Sequence, residues 1–210
     1  MIRITEVSVY NLENSLRGAR NPMNSWPKSD SYYDAQGQYI LGENDLRLAT
    51  KLCKAGSDHR KFMRQILLCA DILAPLYWWK EFDTYKVGTT ANSTSTMHKI
   101  HAKPFGLEDF SHDQLDSAGL QVLNSIIRAL EEARERFNTT KDKAEWYKLI
   151  QLLPSGYNQL RTCTMSYENL VNMYHARKTH KLYEWREFCQ WVETLPYAKE
   201  LICNLKETRA

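Results

Sequence analysis

The run Arg64-Gln65-Ile66-Leu67-Leu68-Cys69-Ala70-Asp71-Ile72-Leu73 restricts the fold more than any other segment of this chain. It is a nearly continuous apolar stretch of strand length, the pattern of a central strand covered on both faces. Such a strand needs partners. Residues 2–9 alternate Ile and Val with polar residues and read as a second strand, although the alternation slips phase between Ile4 and Val7. That slip marks either a bulge or burial on both faces. Residues 157–165, with Tyr157, Leu160, Thr162, Cys163 and Thr164, supply a third strand.

The remaining segments read mostly as helices. Residues 11–20 have Asn11 as a cap, and residues 44–55 place Leu46, Ala49, Leu52 and Cys53 on one face before Gly56. Pro75 suits a first helical turn and introduces a helix over 76–86 that Gly88 ends. A long amphipathic repeat covers 113–137, and helices over 142–153, 167–176 and 182–192 follow, with a last one after Pro196. Residues 21–42 and the hydroxyl-rich 89–96 read as loops. Strands and helices mix without regular βαβ alternation. The fold class is therefore α/β (α+β) with a small sheet, in one domain over 1–210.

Composition narrows the function. A net charge of +3 suits an anionic small ligand and lacks the basic stripe that nucleic-acid binding calls for, so no nucleic acid is expected. The five cysteines, Cys53, Cys69, Cys163, Cys189 and Cys203, form no CxxC pair and point to a reducing compartment. No stretch approaches the roughly 20 apolar residues of a membrane span, and Met1-Ile2-Arg3-Ile4-Thr5-Glu6 lacks the apolar core of a signal peptide. A cytoplasmic location is expected. His98 and His101 are spaced to share a helical face but lack a nearby third ligand, so no metal site is expected. His175 and His180 read as helix-end or surface residues. The Tyr77-Trp78-Trp79 and Tyr183–Trp185 clusters suit cores, subunit interfaces or ring-stacking sites.

The segment from Ala74 to His98 carries the chemistry. A strand leads into an aromatic helix, which ends in Thr89-Thr90-Ala91-Asn92-Ser93-Thr94-Ser95-Thr96. Short hydroxyl and amide side chains with loop N–H groups suit a phosphate or a nucleobase edge, and Lys80, Lys86 and Lys99 add charge.

This arrangement resembles the flavin-dependent thymidylate synthases. In that family a strand ending in Ala-Pro enters an aromatic helix that carries a Gln, then Arg-His-Arg-x-x-Ser, then Asn-Glu-x-Ser-x-Arg. From Ala74-Pro75 the Gln position falls on Glu81 and Arg-His-Arg falls on Thr84, Tyr85 and Lys86. The Glu falls on Asn92, the Ser on Thr94 and the last Arg on Thr96. Leu153-Pro154, Asn172-Met173 with Arg177, His180–Trp185, Leu16–Arg20 and His59 are similar to further family features in the same order.

The resemblance implies a thymidylate synthase complementing protein-like fold: a small central, mainly antiparallel sheet packed with long helices. It implies an FAD-dependent methyltransferase that methylates dUMP or a related pyrimidine deoxynucleotide, with methylenetetrahydrofolate as one-carbon donor and NADPH as reductant. Arg177 would be the catalytic residue and would contact the pyrimidine. Glu81, Asn92, Ser93, Thr94, Ser95 and Thr96 would bind the nucleotide. His59, Thr84, Tyr85, Lys86 and Asn172 would bind the flavin. A homotetramer is implied as well. The departures have physical consequences, because Thr84 offers one hydroxyl where an Arg fork stands and Lys86 keeps one cation. Tyr85 keeps an aromatic surface. Asn92 removes a carboxylate, and Glu81 places one where an amide is expected, altering which pyrimidine edge is read. The alternative is a non-catalytic nucleotide-binding or assembly protein that retains the fold.

Overall fold

The computed structural model describes residues 2–205. In chain order the elements are β1 (Arg3–Tyr10), α1 (Leu12–Ala19), β2 (Tyr32–Tyr33), β3 (Tyr39–Ile40), α2 (Glu43–Lys54), β4 (Leu67–Pro75), α3 (Leu76–Phe82), β5 (Thr90–Ser93), α4 (Ser117–Thr140), α5 (Lys143–Leu152), β6 (Asn158–Ser166), α6 (Tyr167–Arg177) and α7 (Tyr183–Val192). The main sheet is small and antiparallel, with strand order β1-β4-β6-β5. The apolar run thus lies at an inner position, but the expected cover on both faces is corrected: Leu68, Ala70, Ile72 and Ala74 are buried on one face, while Cys69, Asp71 and Leu73 on the other are only half-buried. Within β1 the phase slip is a bulge-like break, since Glu6 has a left-handed backbone (φ 50) in an otherwise extended strand.

Four expectations are corrected. The helix expected over 76–86 stops at Phe82, where Asp83 and Thr84 donate backbone N–H groups to Trp79 and Glu81. The Thr84 hydroxyl also donates to the Glu81 carbonyl (2.7 Å), the local competition through which Thr weakens a helix. Pro75 is not in the first helical turn; it closes β4 in extended geometry (φ −68, ψ 151). Part of the expected 89–96 loop is strand β5, an exposed polar strand beside β6. Its lack of apolar residues hid it. Polar composition is how an edge strand avoids pairing with other chains. The long 21–42 segment also holds an antiparallel pair, with Tyr32 opposite Ile40 and Tyr33 opposite Tyr39, and the segment after Pro196 closes in one π-helical turn (Lys199–Cys203).

The contacts divide the chain into two compact units. One unit comprises the described residues up to Thr5, Asp71–Thr84 and Ala91–Thr162. In it, α4 and α5 pack together across a tight link in which Lys141 adopts φ 60, and Asp116 and Asp142 cap the two helices. Leu123, Leu130, Ala133 and Leu149 meet Phe105, Phe110 and Tyr157 in one apolar cluster. Trp78, Trp79 and Phe82 of α3 are buried and stacked within about 5 Å of one another. Trp79 donates its indole N–H to the Gln159 carbonyl (3.0 Å) while Arg161 lies over its ring (4.2 Å).

The other unit comprises Glu6–Ala70, Tyr85–Thr90 and the described residues from Cys163 onward. Its core includes Leu16, Met63, Ile66, Tyr167, Trp185 and Phe188, all close to fully buried. A buried ion pair organises the loop after α1: Arg20 meets Asp45 at 2.6 Å, and Ser29 and Ser31 both donate to the second carboxylate oxygen.

Candidate functional site

The best-ordered constellation among the carried-over positions is built from the 85–90 turn and from α6 and α7, all in one unit. Ser166 starts α6 with a capping box, exchanging hydrogen bonds with Asn169. The Asn169 amide then donates to the Val87 carbonyl (2.6 Å), which ties the turn to the head of the helix. Gly88 makes that approach possible: its φ is 77, and a Cβ there would lie 3.0 Å from the Asn169 amide oxygen. The Thr89 hydroxyl closes the turn onto the Tyr85 carbonyl.

The turn thereby holds Tyr85 against the far end of α6. Arg177 donates its Nε–H to the Tyr85 hydroxyl (2.8 Å), and its guanidinium lies 5.6 Å from the Tyr85 ring centre and 4.9 Å from that of Trp185. Tyr85 and Trp185 meet edge to face at 6.0 Å. Each cation–π contact of this kind stabilises by about 0.5–2 kcal/mol, and together the two rings limit where the guanidinium can swing. The arrangement is a fixed positive charge set among aromatic faces. Chemically, it can stabilise negative charge that develops on a planar ligand without first having to reorganise. His180 reaches the same group, with its ring 6.5 Å from Trp185 and its Nδ1 accepting from the Leu182 N–H. His175 is not a plain surface residue either, because its ring nitrogen meets the Ile202 carbonyl at 2.9 Å.

The remaining positions assigned by resemblance are distributed as follows. In the same unit His59, Lys86 and Asn172 are exposed, His59 just ahead of a 3-10 turn and Asn172 on α6. Thr84 and the half-buried Glu81 end α3 in the other unit. Asn92 and Ser93 lie exposed on β5, and Thr96 is half-buried beyond it.

Thr94 and Ser95 line a cavity of about 890 Å³ that lies wholly within that second unit. Ser95 Oγ accepts from the Met97 and His98 N–H groups, and the Thr94 N–H donates to the Leu160 carbonyl (2.9 Å). The structure thus brings together Arg177 with Tyr85 in one unit and Thr94 with Ser95 in the other. Among the described residues, no group of three His, Cys, Asp or Glu side chains is placed to hold a metal.

The sequence marks no functional role for Asn169 or for the cavity wall formed by Tyr157, Asn158 and His112. The one available signal was Gly88, read only as a helix stop. The wall residues are scattered along the chain and come together only on folding.

No family model matches the chain, and no curated protein matches it. Solved structures do. Flavin-dependent thymidylate synthase ThyX from Helicobacter pylori, complexed with FAD and dUMP, aligns with a TM-score of 0.68 over 96% of this chain and 100% of that one, at 16% identity. A second structure of Helicobacter pylori ThyX, with FAD and dUMP, gives 0.69 over 96% and 97% at 14% identity. A UMP/dUMP methylase, PolB from Streptomyces cacaoi bound with 5-Br dUMP, gives 0.60 over 95% and 91% at 14% identity. At these identities the likeness is one of fold, and the chain has the fold that the resemblance implied.

Proposed function

We propose that this chain binds a pyrimidine deoxynucleotide, dUMP or a relative, and methylates it in the manner of the flavin-dependent thymidylate synthases, using FAD, methylenetetrahydrofolate and NADPH. The observation that carries this reading is the Arg177 constellation. Arg177 occupies the position at which the resemblance puts an arginine on the pyrimidine, and it is held there by the Tyr85 hydroxyl and by two aromatic rings. The shared fold with structures that contain FAD and dUMP supports the same reading. In the reaction, Arg177 would stabilise the negative charge that grows on the pyrimidine as its C5 is made nucleophilic. Glu81, Asn92, Ser93, Thr94, Ser95 and Thr96 are proposed as nucleotide contacts. Oligomerisation, as a tetramer, and a cytoplasmic location belong to the same proposal.

The residues at the flavin positions fit that cofactor, though thinly. Tyr85 is half-buried, and Lys86, His59 and Asn172 are exposed and carry a cation, an imidazole and an amide. Tyr85 would lie against the ring system, Lys86 would meet a phosphate, and Asn172 and His59 would bond polar edges; Thr84 would add only its hydroxyl. Bound flavin would supply the hydride that completes the methyl group. One lysine in place of two guanidinium forks predicts weaker flavin retention than a full Arg-His-Arg would give.

That same thinning favours a second reading, a non-catalytic nucleotide-binding or assembly protein on this fold. Two measurements separate them. The first reading expects purified protein to carry the visible absorbance of oxidised flavin, or to take up FAD and dUMP in calorimetry. It expects Arg177→Ala to lower turnover about 100-fold or more with the fold intact. Silence toward FAD, dUMP and related nucleotides at millimolar concentration would overturn it, and binding of nucleotide without flavin or turnover would establish the second.

A further inference from the structure

The outer side of α4 carries apolar side chains that neither the proposed nucleotide contacts nor the flavin positions use. Leu115, just ahead of the helix, and Ala118, Val122, Ser125 and Ala129 follow one another at steps of three and four residues, so they share one stripe. Val122 is 62% exposed in the first half of a 24-residue helix, and Leu115 is 43% exposed. A Cβ at Gly119 would stand 3.3 Å from the Leu115 side chain, so the glycine lets that leucine lie close on the first turn. Leu152, at the end of α5, is 40% exposed beside the same stripe. Between them α4 and α5 frame a groove of about 580 Å³. Ile126 lines it and also packs on the apolar cluster of this unit, so the core's apolar surface continues into the groove.

Covering this surface costs little. Among the described residues no charged side chain lines the groove, and its polar members are Gln121 and Ser125. The Ser125 hydroxyl donates to the Gln121 carbonyl (2.9 Å) and accepts from Arg128 (3.1 Å). Its hydrogen bonds are thus made within the helix and survive the loss of water. A charged partner would find no ion to pair with here. The patch is instead complementary to itself. Val122 projects from it, and the small side chains of Ala118, Ser125 and Ala129, about one or two turns away, leave room for such a projection. A two-fold contact between identical chains requires both features on one patch, because each copy offers the other the same surface. Steps of three and four residues are also the spacing at which helices interlock side chain into gap.

We infer that α4 packs antiparallel against α4 of a second copy of this chain, about a two-fold axis beside Val122. Each Val122 enters the space left by the other copy's small residues, and Leu115 and Leu152 are covered with it. The stripe from Leu115 to Ala129 is about 21 Å long at 1.5 Å per residue. An apolar face of that length is on the order of 500 Å², a size at which exposed patches mark contact sites. Two such faces together reach about 1,000 Å², the lower edge of specific interfaces. The contact is therefore reversible, and its dissociation constant falls in the micromolar range. It gives the oligomer proposed above one of its surfaces, and a tetramer would need a second, different one. It uses neither flavin, nucleotide nor Arg177.

Sedimentation equilibrium on the full chain, over a range of protein concentration that brackets the micromolar, tests it. The unmodified chain should weigh more than one copy at the upper end of the range. Val122→Glu should halve that mass and leave the circular dichroism spectrum unchanged, because the position is exposed and helical. Ala118→Glu, also exposed on the stripe, should do the same, and it decides the matter if Val122→Glu fails to fold. Met23→Glu, at an apolar position 82% exposed and outside the stripe, should leave the mass as it was. An oligomer whose mass is unchanged in both stripe variants would overturn this inference while sparing the oligomer and the proposed function. A chain of single-copy mass at every concentration would overturn the inference and the oligomer together. Binding of FAD and dUMP by that single copy would still uphold the proposed activity.

Discussion

The Arg20–Asp45 pair shows how much a single contact can organise in this chain. Both side chains are buried, and the carboxylate accepts from Arg20, Ser29 and Ser31 together. Burial pushes the Asp45 carboxyl up, but the two serine hydroxyls and the guanidinium outweigh it and hold it below the ordinary aspartate value. Because the folded carboxyl titrates below the unfolded one, its stabilisation is complete above the unfolded value of about 3.9. It drains away as the pH falls through the lower folded value. The midpoint of urea unfolding should therefore fall on acidification below about pH 4. Asp45→Asn should be less stable by about 3–5 kcal/mol at neutral pH, since it leaves Arg20 buried without a counter-charge. A neutral-pH unfolding midpoint equal to that of the unmodified chain would refute the assignment. Little of this was legible beforehand. In the sequence Arg20 stands only as the end of the Leu16–Arg20 motif and nothing marks Asp45, because their pairing crosses a loop without periodicity. Arg177 was legible, but only through resemblance. Its partner Tyr85 was read as a flavin contact, and the hydrogen bond between them could not be inferred at a separation of 92 residues.

Elements follow from local rules wherever a rule is strong. The apolar run, the α4 repeat and the α6 and α7 segments all form within a few residues of where periodicity puts them. β5 does not follow such a rule, since an exposed polar edge strand is made by its neighbour rather than by its own residues. The short turn between α3 and β5 is a stricter test of local physics. Gly88 sits at φ 77, and the Asn169 side-chain oxygen is 3.0 Å from where a Cβ would lie. Gly88→Ala should therefore cost about 1–3 kcal/mol from the left-handed backbone, with crowding of Asn169 added. It should also loosen the Asn169 bond to the Val87 carbonyl and with it the positioning of Tyr85. A urea series gives the first effect, and the second shows as weaker ligand binding in a variant that is still folded. If Gly88→Ala proved neutral in both, the turn would not be what places Tyr85 against Arg177.

At the scale of the whole molecule, the two compact units are not consecutive stretches of sequence. The division falls inside β1 between Thr5 and Glu6, inside β4 between Ala70 and Asp71, inside β5 between Thr90 and Ala91, and inside β6 between Thr162 and Cys163. Every strand of the main sheet thus contributes residues to both units. A unit that opens completely must therefore unravel strands whose remaining residues belong to the other unit. We therefore expect one unfolding event in place of two, as a single domain over residues 1–210 would give. Scanning calorimetry should yield one peak whose calorimetric and van't Hoff enthalpies agree. The same argument predicts that a ligand bound in the cavity of one unit raises the melting temperature of the entire chain. At about 100 times its dissociation constant such a ligand adds about 2.7 kcal/mol to whichever cooperative unit contains its site. Two resolved transitions, with only one moved by dUMP, would mean that the chain unfolds as two separate parts.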